Sequence, residues 1–206
     1  TGNTRRYSSS LEKIIKVVDS RPGEIMFGLN LIVNRGKTIF LCDTSVIEYP
    51  DAKQLSEMAK SAARVVRLFG FDPKIAFLSH STFGEPATDR TKRLSDAVEI
   101  LKKDNVDFKF DGEMQPDVAL EEVYKELYPF SEIVGSSNVL IMPSQHSAAI
   151  SYKMIKSMSR AKVIGPLLVG LGQPIEIAPL RSSTSDIINL ASIAAYSADV
   201  IQYKKN

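Results

Sequence analysis

Apolar positions along this chain follow two rhythms that alternate. Between residues 8 and 19, Leu11, Ile14, Ile15 and Val18 fall at helical spacing, and Arg21-Pro22-Gly23 ends the stripe. Residues 25–33 and 38–42 are β-rich runs joined by Asn34-Arg35-Gly36-Lys37, which predicts a hairpin. Pro50-Asp51 opens a helix to about Phe69, stopped by Gly70, with Leu55, Ala59, Ala62, Val66 and Phe69 on one face. Strands are then predicted over 74–79, 107–110, 139–142, 163–169 and 174–177. Helices are predicted over 90–103, 117–127, 145–159 and 183–201.

Strand runs such as IAFL and VLIM are continuously apolar, as expected when both faces are covered. Together with the alternation, this predicts an α/β fold: a three-layer, open, mostly parallel sheet with helices on both faces and an antiparallel hairpin near the start. Ligands of such sheets bind beyond the carboxyl ends of the strands. His80-Ser81-Thr82, Asp111-Gly112-Glu113, Ser144-Gln145-His146 and the segment 181–186 are therefore expected along one edge.

Composition narrows the function classes. The 206 residues are 44% hydrophobic with a net charge of +2, an ordinary globular profile without the basic excess that nucleic-acid binding usually needs. No apolar run approaches the ~20 residues of a membrane span. The lone Cys42 precludes an internal disulfide, fits the reducing cytoplasm, and reads as a small buried hydrophobe. The opening TGNTRRYSSS reads as the middle of a longer polypeptide.

Candidate chemistry is sparse. His80, His146, Asp111 and Glu113 lack metal-ligand spacing, so no metal is expected. Nucleophile-elbow, P-loop and dinucleotide fingerprints are all absent. Asp111-Gly112-Glu113 offers either a general base or, the stronger reading, a turn with capping or paired carboxylates. Ser81-Thr82 before Gly84 offers phosphate-binding hydroxyls or a helix entry, and Arg5-Arg6 beside Thr4 is a weak anion candidate. Arg181-Ser182-Ser183-Thr184-Ser185-Asp186 stands where the last helix begins, a place for an anion. Simple capping by Ser183 or Thr184 is the commoner use of such residues.

Five segments carry a resemblance: PDAKQLSEMAKSAARVVRLFGFDPKIAFLSHSTFG, DGEMQPDVAL, NVLIMP, SYK and GPLLVGLGQPI. Their order and spacing resemble the phosphate acetyl/butyryltransferase family over nearly the whole chain. STFG in place of STKG, DGEM in place of DGEL, and LYPF are more similar to the C-terminal phosphotransacetylase-like region of bacterial hybrid-type NADP-dependent malic enzymes. The resemblance implies that residues 1–206 form the C-terminal portion of such a domain, with the domain's start and a malic enzyme region outside the chain.

The family transfers an acyl group from acyl phosphate to the thiol of coenzyme A. An aspartate serves as base, and a Ser-Arg pair stabilises phosphate. Counting from Gln173-Pro174, the base position matches Asp186, but the Ser-Arg positions read Pro179 and Leu180. Arg181 falls on the family's glycine, Phe83 replaces the lysine of STKG, Glu85 adds negative charge, and Ser147-Ala148-Ala149 replaces Ala-Gly-Asn. The resemblance thus implies a ligand crevice drawing on Ser81, Thr82, Gly165, Pro166, Arg181, Ser182, Ser183 and Asp186, with degraded catalysis. It implies an acetyl-CoA- or CoA-binding regulatory and oligomerising domain, in a parent chain using NADP and a divalent metal. Expected partners are acyl-CoA, a second copy and the malic enzyme domain, not nucleic acid or membrane. Alternatives are a working phosphate acetyltransferase and a purely structural dimerisation module.

Overall fold

The computed structural model describes residues 5–203, with side-chain surroundings through residue 199; the Thr4 part of the Arg5-Arg6 anion candidate lies outside the described residues. Helix α1 (Tyr7–Ile15) leads into the hairpin β1 (Phe27–Asn34) and β2 (Lys37–Cys42). Then follow α2 (Ala52–Leu68), β3 (Lys74–Leu78), α3 (Asp89–Lys103), β4 (Lys109–Met114) and the short α4 (Pro116–Leu120). After a 3-10 turn at Glu122–Lys125 come β5 (Val139–Ile141), α5 (Gln145–Met158), β6 (Lys162–Val169) and α6 (Thr184–Tyr203).

Local signals explain most boundaries. The hairpin turn is Arg35-Gly36, both residues at positive φ (48° and 79°), the geometry that suits the twist of the flanking strands. Helix α2 begins with a capping box: Gln54 N–H donates to Asp51 Oδ1 (2.7 Å), and Asp51 N–H donates to Gln54 Oε1 (2.9 Å). It buries Leu55, Met58, Ala59, Ala62 and Val66, one helical stripe.

The strands form one sheet in the order β4-β3-β5-β2-β1-β6. Neighbours β4, β3, β5 and β2 pair in parallel, while β1 is antiparallel to both β2 and β6. Only β1 therefore runs against the other five. Two apolar clusters cover the two faces. One joins β1, β2, β3, β5 and β6 to α2, α3 and Leu190 of α6; the other joins the sheet to α4 and α5 through Val118, Ala119 and Ala148. The result is the expected three-layer α/β architecture. Helix α3 leaves β3 toward one face and α5 leaves β5 toward the other, so adjacent β3 and β5 form a topological switch point.

Several boundaries differ from the pattern-based expectation. Ile175-Glu176-Ile177 is not part of the sheet, because Glu176 turns its carboxylate to the Leu168 N–H (3.0 Å) instead of continuing a backbone ladder. Asp111-Gly112-Glu113 lies within β4, not in a loop after it; Gly112, at φ 140°, pairs with Phe77 and its ideal Cβ would sit 2.8 Å from the Phe77 carbonyl oxygen. The predicted helix over 117–127 breaks at Glu121, which is extended (φ −111°, ψ 122°). Helix α1 stops at Ile15, so Val18 packs from outside it against Leu168, Leu171 and Ile177.

Candidate functional site

The predicted site residues fall into two places. Ser81 and Thr82 follow β3, and both are buried. Ser81 Oγ–H donates to Glu113 Oε1 (3.2 Å), and Gly84 N–H donates to the same oxygen (2.6 Å). Ser95 Oγ–H donates to Glu113 Oε2. Thr82 Oγ1 accepts from Gln115 N–H (3.2 Å). Glu113 is thus the fastener of this loop, and each of the two hydroxyls has a protein partner. Phe83, at φ 50°, packs tilted against Tyr128 and edge-on against Phe130, with ring centres 5.3 and 4.8 Å away. An aromatic contact stands where the resemblance to the transferases calls for lysine.

The second place is a cleft of about 100 Å³ along the outer edge of β6. Gly165, Arg181, Ser182 and Asp186 come together there, with Lys156, Pro179 and Leu190 completing the wall. Pro166 lies just behind it, buried. Gly165 permits the close packing: a Cβ there would strike Asn30 Oδ1 and the Leu29 carbonyl oxygen. The cleft faces Val163–Gly165, near the start of β6, so segment 181–186 does not join Ser81 and Thr82 at the carboxyl edge.

Asp186 and Ser183 form a reciprocal cap at the start of α6. Ser183 N–H and Oγ–H both donate to Asp186 Oδ2 (2.9 and 2.8 Å), and Asp186 N–H donates to Ser183 Oγ (3.2 Å). These bonds, above all the Ser183 N–H, hold the Asp186 carboxyl below the usual carboxylate range, with Lys156 and Lys162 adding to the effect. A stabilised carboxylate is a weak acceptor for a thiol proton. With Arg181 and Lys156 alongside, the cleft can hold one anionic group. Its volume is well below the ~300–1,000 Å³ typical of pockets that enclose a whole small-molecule ligand.

Two carboxylates, Asp43 buried and Glu176 partly buried, escaped the sequence reading. Asp43 accepts from the N–H groups of Gly28, Ser45, Val46 and Ile47, fastening the chain after β2. Burial pushes its carboxyl up, opposed by those bonds. Glu176 borders a second cleft, of about 160 Å³, beside Arg21, Arg64 and Tyr196. Burial pushes its carboxyl up to about 8, with the Leu168 N–H as opposing partner. Its flanking isoleucines were the available signal, a lone acid inside an apolar alternation. His80 and His146 line separate depressions, and among the described residues no group of three or more His, Cys, Asp or Glu is placed to hold a metal. Nor is any described helix long and apolar enough to cross a membrane.

Comparisons place this geometry in a family. The model of the family described as "Phosphate acetyl/butaryl transferase" matches residues 1–195. The NADP-dependent malic enzyme of Rhizobium meliloti is 44% identical over 198 residues, which is 96% of this chain and 26% of that protein. The phosphate acetyltransferase of Bacillus subtilis is 30% identical over 200 residues, 96% of this chain and 62% of that protein. The solved phosphotransacetylase of Streptococcus pyogenes superposes with a TM-score of 0.88 at 30% identity, covering 96% of this chain and 61% of that one. The chain spans about a quarter of the malic enzymes it matches, and it resembles their phosphotransacetylase-like part. With the six-stranded sheet, its two helical layers and a family match running from residue 1 to 195, the chain belongs to the phosphate acetyl/butyryl transferase family.

Proposed function

We propose that this chain is an acyl-CoA-binding regulatory domain of an NADP-dependent malic enzyme, and that it does not itself transfer acyl groups. The observation that carries this reading is the state of the β6–α6 cleft. Pro179 lines it where the family resemblance calls for the serine of the phosphate-stabilising pair, Leu180 is exposed where it calls for the arginine, and Asp186 is engaged in a helix cap. Loss of a single oxyanion-stabilising donor typically lowers a rate ~10²–10³-fold, so a cleft lacking the pair retains a binding surface with little turnover. Arg181 and Lys156 supply positive charge for a phosphate of acetyl-CoA or CoA. The small cleft volume fits one group of such a ligand, the rest lying over the surface.

In this reading the parent enzyme uses NADP and a divalent metal elsewhere in its chain to decarboxylate malate oxidatively. The domain reports acyl-CoA, a product downstream of pyruvate, and contributes to self-association. Calorimetric titration of the purified protein with acetyl-CoA and with CoA tests it, beside an assay for CoA-dependent consumption of acetyl phosphate. Saturable acetyl-CoA binding, weakened by Arg181→Gln, with no turnover of acetyl phosphate, is expected. Turnover abolished by Asp186→Asn would replace this reading with a working transferase. Absence of binding at millimolar ligand would leave a structural module.

A further inference from the structure

The cleft that Glu176 borders lies at the carboxyl end of β6, between α2 and α6. One wall is apolar: Val65, Leu68 and Phe69 at the end of α2, Leu167 of β6 and Ile193 of α6. Among its lining residues, Arg21, Glu24, Arg64 and Glu176 can carry charge. Arg64 and Glu24 pair with each other at 3.0 Å, and Arg64 also donates to Ser61 Oγ (2.7 Å). Among the described residues, neither Arg21 nor Glu176 has an ion-pair partner within 4 Å. One cation and one acid are therefore left single beside an apolar wall.

Both are fixed to the same short stretch of backbone. Arg21 Nε–H donates to the Leu171 carbonyl oxygen (3.0 Å), and Glu176 Oε2 accepts from the Leu168 N–H (3.0 Å). Three residues separate the anchors, a span of at most roughly 11 Å. Each bond occupies one part of its side chain. The terminal nitrogens of Arg21 and Oε1 of Glu176 make no hydrogen bond to protein among the described residues. Burial pushes the Glu176 carboxyl up to about 8, and no positive charge offsets that effect. An acid so placed ionises when a cation is brought to it. The other ionisable groups around it are Arg21, Glu24 and Arg64 of the cleft, Tyr196 of α6, and Tyr7 of α1, which is close enough to feel its charge.

We propose that this cleft binds an apolar α-amino acid as its zwitterion, with the ammonium on Glu176, the carboxylate on Arg21 and the aliphatic side chain against Val65, Leu68 and Ile193. The ammonium nitrogen and carboxylate carbon of an α-amino acid are about 2.5 Å apart. A charge-assisted hydrogen bond of about 2.8 Å at each end extends this to roughly 8 Å, within the span of the two anchors. The guanidinium fork of Arg21 matches a carboxylate, and the free Glu176 oxygen matches an N–H donor. A volume of about 160 Å³ suits a body slightly larger than benzene, which fills a cavity of ~150 Å³. Leu68 and Tyr196, both exposed, form an open rim for the rest. The cleft shares no lining residue with the Asp186 cleft, so the inference goes beyond the acyl-CoA reading and stands without it.

The test titrates L-leucine calorimetrically into the purified protein at pH 7, beside 4-methylpentanoate, which lacks the ammonium, and isopentylamine, which lacks the carboxylate. Saturable leucine binding is expected, with each single-charge analogue at least about tenfold weaker, since each loses one charge-assisted bond. Glu176→Gln and Arg21→Gln, shown by circular dichroism to be folded, should each weaken leucine at least about tenfold. Runs in two buffers of different ionisation heat should show proton release on binding to wild type and none in Glu176→Gln, because the ammonium ionises the acid. Failure to saturate by about 10 mM overturns the proposal. So does an analogue that binds as tightly as leucine, a comparison made on wild type that needs no variant to fold. Full affinity in either folded variant overturns it too. Acetyl-CoA binding, titrated separately, decides the regulatory reading whatever this experiment returns.

Discussion

Glu176 is the residue whose ionisation should be most visible in solution. Its carboxyl titrates at about 8 in the fold against 4.5 ordinarily, because burial penalises the charged form. An acid with a raised folded pKa keeps its proton in the native state after the unfolded chain has lost it. Stability therefore falls as pH rises from about 4.5 to about 8. At ~1.36 kcal/mol per unit the whole effect is at most about 5 kcal/mol, and water reaching this partly buried group reduces it. Glu176→Gln should raise the urea midpoint at pH 8.5 and leave it nearly unchanged at pH 5. Asp186 works in the opposite sense: its lowered pKa contributes stability above the ordinary carboxylate range that is lost as acid protonates it. The capping role of Ser183 was legible from its place before an apolar helix. The partial burial of Glu176 had only its flanking isoleucines as a signal, and these do not show what lies over the side chain.

Among the elements, the β1–β2 hairpin carries a correctable flaw. Arg35 sits at φ 48°, a region in which non-glycine residues other than Asn and Asp are disfavoured. Arg35→Asn gives the turn the Asn-Gly pair it favours and should stabilise the protein by up to about 1 kcal/mol, read from denaturant unfolding with an unchanged slope. This hairpin was legible, because two β-rich runs around a glycine turn need no information beyond about 20 residues. The fate of 174–177 and of 111–113 was not legible. Segment 174–177 has the composition of a strand but, among the described residues, no strand partner. Segment 111–113 has the composition of a turn, yet its glycine lets the chain pair closely with β3.

At the scale of the molecule, the core is unevenly distributed. Strands β3 and β5 are covered on both faces, whereas α6, twenty residues long, is anchored, among its residues with described surroundings, chiefly by buried Leu190 and partly buried Ile193. Leu190→Ala removes that anchor at a cost of about 2–5 kcal/mol. Hydrogen exchange should accelerate through α6 while the amides of β3 and β5 stay protected, because helices at the periphery open without the core. Uniform acceleration would mean that α6 and the sheet unfold as one unit.

The sequence by itself determined the layered α/β class, the opening hairpin, most helix limits and the family, because periodicity, capping and turn chemistry are written in short stretches. The resemblance it carries implies that Pro179, Leu180 and Phe83 depart from the family's catalytic pattern. Only the tertiary structure decided that the Ser81 hydroxyl is fastened inward to Glu113, that the Thr82 hydroxyl accepts from Gln115 N–H, and that Arg181 and Asp186 lie on a different edge. The physical reason is distance along the chain. Burial and electrostatic environment come from strands and helices brought together by the sheet order β4-β3-β5-β2-β1-β6, an order that no local pattern encodes.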